Sequence, residues 1–436
     1  MARTNRNRMA DHPVRIWLES PCYKVYLAVS LWVVAAVCAV SLFRELPWAA
    51  SANYRDFDTY YSPAYLLRQG INPYAGNSVW GDTPSWLLCF EPLTLLARFT
   101  AYKLWFFVNV MAFAITLILL LRDSALEETD KWILAALIVL YPPIACNFWF
   151  GQSEIFLLFL LVLFIRELQR GRDVTAGMIL AAASLLRAYP VGLIGYLAAR
   201  REWKAVAYTV IGCIAGMIIT TAFVGTDVVT TYTLNVIGPH SLNQPIGFLR
   251  HPANLSLSWF VRFVLLRGFG IAELSALASS LALIAGLIAA AFAFATTWRL
   301  DDDSNWREFS LWVVTVSILS PIMWGQFMVC FVILFVALAK GRASRRAIGA
   351  AVGSYLILVA FGDMHGYPLN FLPELARDYF SGNIRLLHML PEATTVSLIL
   401  IYLACCWFVS DAKPLQSTRL GGMLASHADA SRPVVS

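Results

Sequence analysis

Long apolar runs separated by short stretches rich in arginine and lysine recur along the chain from Val25 to Phe408. One helical crossing of a hydrocarbon core takes roughly 20 residues, and many of these runs have about that length. No short alternating polar and apolar segments recur, which excludes a membrane β-barrel. The pattern predicts an all-α polytopic membrane protein.

Several apolar stretches are too short or too long for one crossing, and the basic residues divide them. Arg166, Arg170 and Arg172 precede one stretch and Arg200, Arg201 and Lys204 follow it. The positive-inside rule therefore puts both of its ends in the cytoplasm, and the stretch must be a hairpin. Its turn is Arg187-Ala188-Tyr189-Pro190, because proline interrupts a helix and its predecessor avoids the helical region. Ser320-Pro321-Ile322-Met323-Trp324-Gly325-Gln326 breaks the run between Arg307 and Lys340 in the same way.

With those turns placed, twelve spans fall near 25–43, 101–121, 132–148, 152–165, 174–187, 190–199, 204–224, 273–297, 308–320, 323–339, 346–362 and 393–409. Both termini then lie inside, and 22 of the 33 Lys and Arg residues fall in cytoplasmic segments or at their edges. The 190–199 span is short unless it continues past Arg201. The expected division is a cytoplasmic N-terminus at 1–24, one transmembrane domain at 25–409, and a disordered cytoplasmic tail at 410–436. Three outer loops are long, 44–100, 225–272 and 363–392. In the first, Ser62-Pro63 followed by Ala64 to Gln69 and Gly70 predicts a short surface helix, and Trp86 to Phe99 predicts a helix on or dipping into the membrane.

Composition agrees with this reading. The 436 residues are 59% hydrophobic and only 14% charged, with a mean hydropathy of +0.65, whereas a soluble protein has about a quarter of its residues charged. A soluble enzyme is excluded. The formal charge of +6 sits in short loops and forms no aromatic-interleaved stripe for nucleic acid. Cys38, Cys146, Cys213, Cys330, Cys405 and Cys406 lie in or beside apolar segments without zinc or disulfide spacing, so they read as packing residues. Ala50-Ser51-Ala52 imitates a signal-peptidase site, but the apolar run from Val25 to Phe43 exceeds a typical signal core. An uncleaved signal anchor is expected.

The sharpest chemical cluster is Arg55-Asp56-Phe57-Asp58-Thr59-Tyr60-Tyr61, just outside the first span. Its two carboxylates suit a general base toward a sugar hydroxyl or a metal clamp; helix capping and pairing with Arg55 is the plain alternative. Arg187 lies at a hairpin turn, where a cation either binds phosphate bidentately or snorkels to the interface. His240 and His251 lie in the second outer loop near Asn243, Gln244 and Asn254, each either a site residue or a solvated one. Glu91 and Glu154 sit in or beside apolar stretches and could line a cavity. Trp80, Trp86, Trp149, Trp259 and Trp324 fit an aromatic belt or sugar stacking. Asp301-Asp302-Asp303 falls on the cytoplasmic side and reads as a solvated charge run.

The run Asp56-Phe57, Tyr60-Tyr61, Leu66-Leu67, Gly70, Asn72-Pro73-Tyr74 resembles the first outer loop of glycosyltransferase family 87. Gly151-Gln152, Leu186-Arg187-Ala188-Tyr189-Pro190, Asn254-Leu255-Ser256 and Ser320-Pro321 with Trp324 follow in that family's order, so the resemblance extends over most of residues 25–410. It implies a GT-C-like bundle and a mannosyltransferase that uses a polyprenyl-phosphate sugar donor and a lipid-linked or cell-envelope glycan acceptor. The work would be done at the extracytoplasmic face of the inner (plasma) membrane. Asp56 matches the family's catalytic base better than Asp58. The Asp56-x-Asp58 pair also imitates the metal-binding motif of nucleotide-sugar transferases, but a lipid monophosphate offers no pyrophosphate to clamp. Neither metal nor cofactor is expected.

By the same resemblance Arg187 and Gln326 would hold the donor phosphate. Gln326 stands where the family often carries histidine, and it can donate a hydrogen bond but carries no charge. Asp58, Tyr60, Asn72, Tyr74, Gln152, Glu154, Tyr189, His240, His251, Asn254 and Trp324 are expected around the substrates. The competing reading is a transporter or flippase of lipid-linked sugars, which would place ionisable residues at mid-membrane in paired halves; a non-catalytic assembly factor is a third.

Overall fold

The computed structural model describes residues 20–46, 54–75, 82–122, 126–234, 276–300, 306–320, 323–341, 343–361 and 390–410, with positions 256, 257, 260 and 261. The described residues are overwhelmingly helical. The first span is α1 (Pro21–Glu45), opened by Ser20, whose hydroxyl accepts from the Tyr23 amide. Next come α2 (Phe57–Arg68), α3 (Pro84–Phe90), a 3₁₀ turn (Glu91–Leu95) and α4 (Arg98–Arg122). After it come α5 (Glu128–Val139), α6 (Pro142–Phe150), α7 (Glu154–Gln169), α8 (Asp173–Leu186), a 3₁₀ turn (Tyr189–Leu193) and α9 (Ile194–Ala199). It is followed by α10 (Trp203–Val224) and α11 (Thr226–Tyr232), then by α12 (Ala276–Arg299), α13 (Trp306–Leu319), a 3₁₀ turn (Gly325–Phe331), α14 (Val332–Lys340), α15 (Arg345–Phe361) and α16 (Leu390–Ser410).

Among the described residues three helices are long and apolar enough to cross a membrane: α1, α4 and α10. The pair α5 and α6, bent by 48° at Tyr141-Pro142, adds a fourth if it is one span. Helix α4, with 25 residues, is about 37 Å long at 1.5 Å per residue, which exceeds the hydrocarbon core. The other apolar helices overlap ranges expected to be spans, but several are too short to cross a hydrocarbon core alone. Helix α13, 14 residues long, is buried along its whole length except at Arg307 and Leu319. A helix enclosed by others faces no lipid and has no need to match the bilayer thickness. The 190–199 segment is split into a 3₁₀ turn and a six-residue helix ending at Ala199, so it does not run past Arg201.

Two expectations for the first loop need correction. The surface helix begins at Phe57, not after Ser62, and Pro63 lies inside it. The Trp86–Phe99 stretch is not one helix but two short pieces, Pro84–Phe90 and the 3₁₀ turn Glu91–Leu95, followed by the start of α4. The reason is an aromatic core of the loop's own: Tyr54, Phe57, Tyr60, Tyr61, Trp86, Phe90, Tyr102 and Trp105 are buried together. Trp86 is therefore a core residue and not part of an interfacial belt, with its ring edge-on to Trp105 at 5.9 Å.

Helices α8 and α10 pack closely. Gly212 and Gly216 on α10 form a small-xxx-small face, and added Cβ atoms would meet Ala181 Cβ at 2.7 Å and the Leu185 side chain. Small residues allow such backbone approach in membranes, where dispersion replaces the hydrophobic drive. This packing holds the end of α8, and with it Arg187. At the other end of the bundle, Lys24 pairs with Glu127 and Asp130 at 3.0 Å, tying α1 to α5.

Candidate active site

The three segments that meet at the α8 end are the first loop (Tyr54 to Asp82), the α6–α7 turn and the α8–α9 turn. Helix α6 ends in a Schellman arrangement: Gly151 is left-handed (φ 71°), and the Gln152 amide donates to the Asn147 carbonyl at 2.9 Å. Left-handed backbone suits glycine, which lacks the Cβ that would clash. That turn directs Gln152 and Ser153 into the bundle end and starts α7 with Glu154 at 0% exposure.

Arg187, the residue that closes α8, is turned inward. Its Nη1 donates to Asp82 Oδ1 at 2.5 Å, and its Nε lies 3.0 Å from Glu154 Oε1 without hydrogen-bond alignment. Its Nη2 reaches the Tyr60 hydroxyl at 2.9 Å, Ser153 Oγ at 3.2 Å and Gln152 Oε1 at 3.4 Å. The side chain is only 16% exposed, so Arg187 does not snorkel. Tyr60 in turn donates to Gln152 Oε1 at 2.5 Å, and Gln152 Nε2 donates to Asp56 Oδ2 at 2.5 Å. A hydrogen-bonded path thus links the Arg187 guanidinium to the Asp56 carboxylate.

Asp56 is the N-cap residue of α2, but its side chain makes no capping bond. Burial raises its pKa above the ordinary carboxylate value and Asp82 pushes the same way; the Gln152 hydrogen bond, Arg187 and Arg55 oppose them. Asp82 is raised as well, by burial first, against the pull of Arg187. Arg55, just before Asp56, has left-handed backbone (φ 57°). Its guanidinium lies 3.3 Å over the Trp149 ring and donates to the Trp149 carbonyl at 2.6 Å.

A family model described as glycosyltransferase family 87 matches residues 80–321. The chain belongs to glycosyltransferase family 87. The match takes in Asp82, Gln152, Glu154 and Arg187 and stops short of Asp56. No curated protein matches the sequence. Among solved structures, ArnT from Cupriavidus metallidurans in the apo state is similar at 14% identity, covering 88% of this chain and 77% of that chain, with a TM-score of 0.41.

In this family 87 chain the other expected residues fall into three groups. Glu154 joins Arg187 and accepts from the Tyr189 hydroxyl at 3.2 Å. The Tyr189 ring stacks on Phe327, whose own ring lies 5.4 Å from the Arg187 guanidinium. Gln326, next to Phe327, is half-buried, and its carbonyl accepts from Asn147; Trp324 opens the same 3₁₀ turn. Asp58, Asn72 and Tyr74 have protein partners. Asp58 pairs with Arg98 and so has a different partner from Asp56. Asn72 donates to Asp227 and Thr231 of α11, and the buried Tyr74 donates to the Asp82 carbonyl at 2.6 Å. His240, His251 and Asn254 lie outside the described residues, as do Trp80, Trp259 and Asp301–Asp303.

Glu91 opens a 3₁₀ turn and is not among the hydrogen-bonded or ion-paired members of the network. Sequence reasoning missed Asp82 and Ser153. A signal for Asp82 was present in retrospect: a buried arginine needs an anionic partner, and Asp82-Thr83-Pro84 opens a helix in the same loop as Asp56. Thr83 fastens this segment by donating to the Leu185 carbonyl at 2.6 Å, two residues before Arg187. Among the described residues no group of three or more His, Cys, Asp or Glu is arranged to hold a metal ion.

Proposed function

We propose that this membrane glycosyltransferase moves a hexose, mannose by family resemblance, from a polyprenyl-phosphate donor to a hydroxyl of a lipid-linked or cell-envelope acceptor. The reaction runs at the extracytoplasmic face of the inner membrane. The observation that carries this reading is the linked pair at one end of the bundle: a carboxylate with a raised pKa at Asp56 and a buried guanidinium at Arg187, joined through Gln152 and Tyr60.

Asp56 takes the proton of the acceptor hydroxyl as that oxygen bonds to the sugar's anomeric carbon. The bond from that carbon to the phosphate oxygen breaks, and its electron pair leaves with the polyprenyl phosphate. Arg187, whose nitrogens are engaged by protein groups, supplies positive charge that offsets the growing charge on the phosphate. A single displacement inverts the anomeric centre, so a β-linked donor gives an α-glycoside. Burial suits the base, because a catalytic carboxylate works best with its pKa drawn toward the operating pH.

The test is release of polyprenyl phosphate by purified protein, dependent on added acceptor. Asp56→Asn keeps the shape and removes the basicity. It should cost roughly 10²- to 10⁴-fold in turnover, about 3 to 5 kcal/mol of barrier, with the fold and donor binding kept. Near-normal turnover of Asp56→Asn would remove Asp56 as the base.

A further inference from the structure

Gln152 lies in the turn between α6 and α7 with 6% of its surface exposed. Its two amide atoms are told apart by chemistry. Arginine carries only donors, so the Gln152 atom 3.4 Å from Arg187 Nη2 must be the oxygen. The Tyr60 hydroxyl receives a hydrogen bond from Arg187 at 2.9 Å and passes its own proton to that same oxygen at 2.5 Å. The amide nitrogen is thereby turned the other way, toward Asp56 Oδ2 at 2.5 Å.

We propose that Gln152 is a positioning residue for Asp56: its amide aims the carboxylate by donating to it, and Arg187 acting with Tyr60 sets the direction of that amide. The cation that faces the leaving phosphate and the base that activates the acceptor then belong to one device. The inference rests on Asp56 being the base, and it gives Gln152 a role through Asp56 instead of contact with the sugar.

The charged groups around Asp56 are Arg55 from the preceding turn, Asp82 from the segment before α3, and Arg187 from the α8–α9 turn. Asp58 on the same helix is held by Arg98, and Glu154 on α7 is held by Arg187 and Tyr189. Donation from Gln152 favours the ionised carboxylate and lowers its pKa against the upward push of burial. Without it, Asp56 should keep its proton to higher pH.

The experiment uses purified full-length protein, a short-chain mannosyl polyprenyl phosphate as donor and a lipid extract of the native membrane as acceptor. Turnover is followed from pH 5.5 to 9. Gln152→Met fills similar volume without the donor. It should move the acid limb of the profile up by about one pH unit, the size expected for one lost hydrogen bond to a charged group. Turnover would then be roughly tenfold low where the base is protonated and recover above the limb, with donor KM unchanged. Tyr60→Phe should move the limb the same way by less.

Gln152→Glu, which keeps shape and puts a carboxylate against Asp56, should move the limb further up and serves if the methionine variant does not fold. An equal loss at every pH, or a higher donor KM with an unmoved profile, would overturn the proposal. Asp56→Asn, run alongside, separates the two readings. If it keeps turnover, Asp56 is not the base and the role assigned to Gln152 falls with it. If it is inactive while the Gln152 variants leave the limb in place, only the positioning role is lost.

Discussion

Arg187→Gln tests the electrostatic reading of the buried network. The substitution leaves Asp82 and Glu154 without the cation that lies 2.5 and 3.0 Å from their carboxylates. Breaking a buried ion pair by removing one partner costs about 3–5 kcal/mol, because the remaining charge stays desolvated. The cost should depend on pH, since a stranded carboxylate can discharge by taking a proton. Burial already holds the Asp82 pKa above its ordinary value, and Arg187 is the main force opposing that rise. Removing Arg187 raises it further. A carboxyl whose pKa is raised on folding favours the folded state where it is protonated, and that contribution is lost as pH rises through the folded value.

Thermal unfolding of wild type and Arg187→Gln in detergent, followed by tryptophan fluorescence from pH 5 to 8, should show a gap widest at pH 8 and narrowing as pH falls. Adding Asp82→Asn to Arg187→Gln should recover part of the loss at pH 8. A gap that stays constant, or a double variant less stable than the single one at pH 8, would refute the reasoning.

Other outcomes follow from the same geometry. Asp58→Asn should reduce turnover far less than Asp56→Asn, because Asp58 is engaged with Arg98; equal loss at both positions, restored by divalent metal, would instead indicate a shared cation. Gly212→Leu should loosen the α8–α10 packing and lower the unfolding temperature more than Gly349→Leu, since an added Cβ meets Ala181 at 2.7 Å in the first case and open space in the second. Ala75→Cys, in a background lacking the exposed Cys22 and Cys89, should react with a membrane-impermeant thiol reagent in intact cells. Labelling only after permeabilisation would place the candidate site on the cytoplasmic side.

The helix break at Arg187-Ala188-Tyr189-Pro190 is legible in the sequence because proline is a local signal. Asp56, Tyr60, Gln152, Glu154, Arg187 and Tyr189 were all candidates, and the structure brings them into one network. What the chain did not announce is how they divide their tasks. Asp82 meets Arg187 from 105 positions away, and no periodicity encodes such a pairing. Tyr60 and Gln152 were expected at the substrates, yet each spends polar atoms on a neighbour. The start of α2 is misplaced because Ser62-Pro63 looks like an N-terminal signal but lies inside the helix, and the Trp86–Phe99 stretch is misjudged because apolar content reads alike whether a segment meets lipid or an aromatic core. Trp86 illustrates this: tryptophan marks interfaces by statistics, but here the surrounding rings of Tyr60, Phe90 and Trp105 enclose it.

Gly151 has a consequence beyond its turn. A Cβ there would sit 3.1 Å from Phe57 Cβ and 3.6 Å from both the Phe57 nitrogen and the Tyr102 ring. The spacing between the first loop and the α6–α7 turn is thus gauged by bare backbone, as a machinist seats two parts against a stop. A side chain at position 151 would act as a shim, strained by the left-handed backbone and pushing Phe57 off by a few tenths of an ångström, enough to disturb the adjoining contact between Asp56 and Gln152.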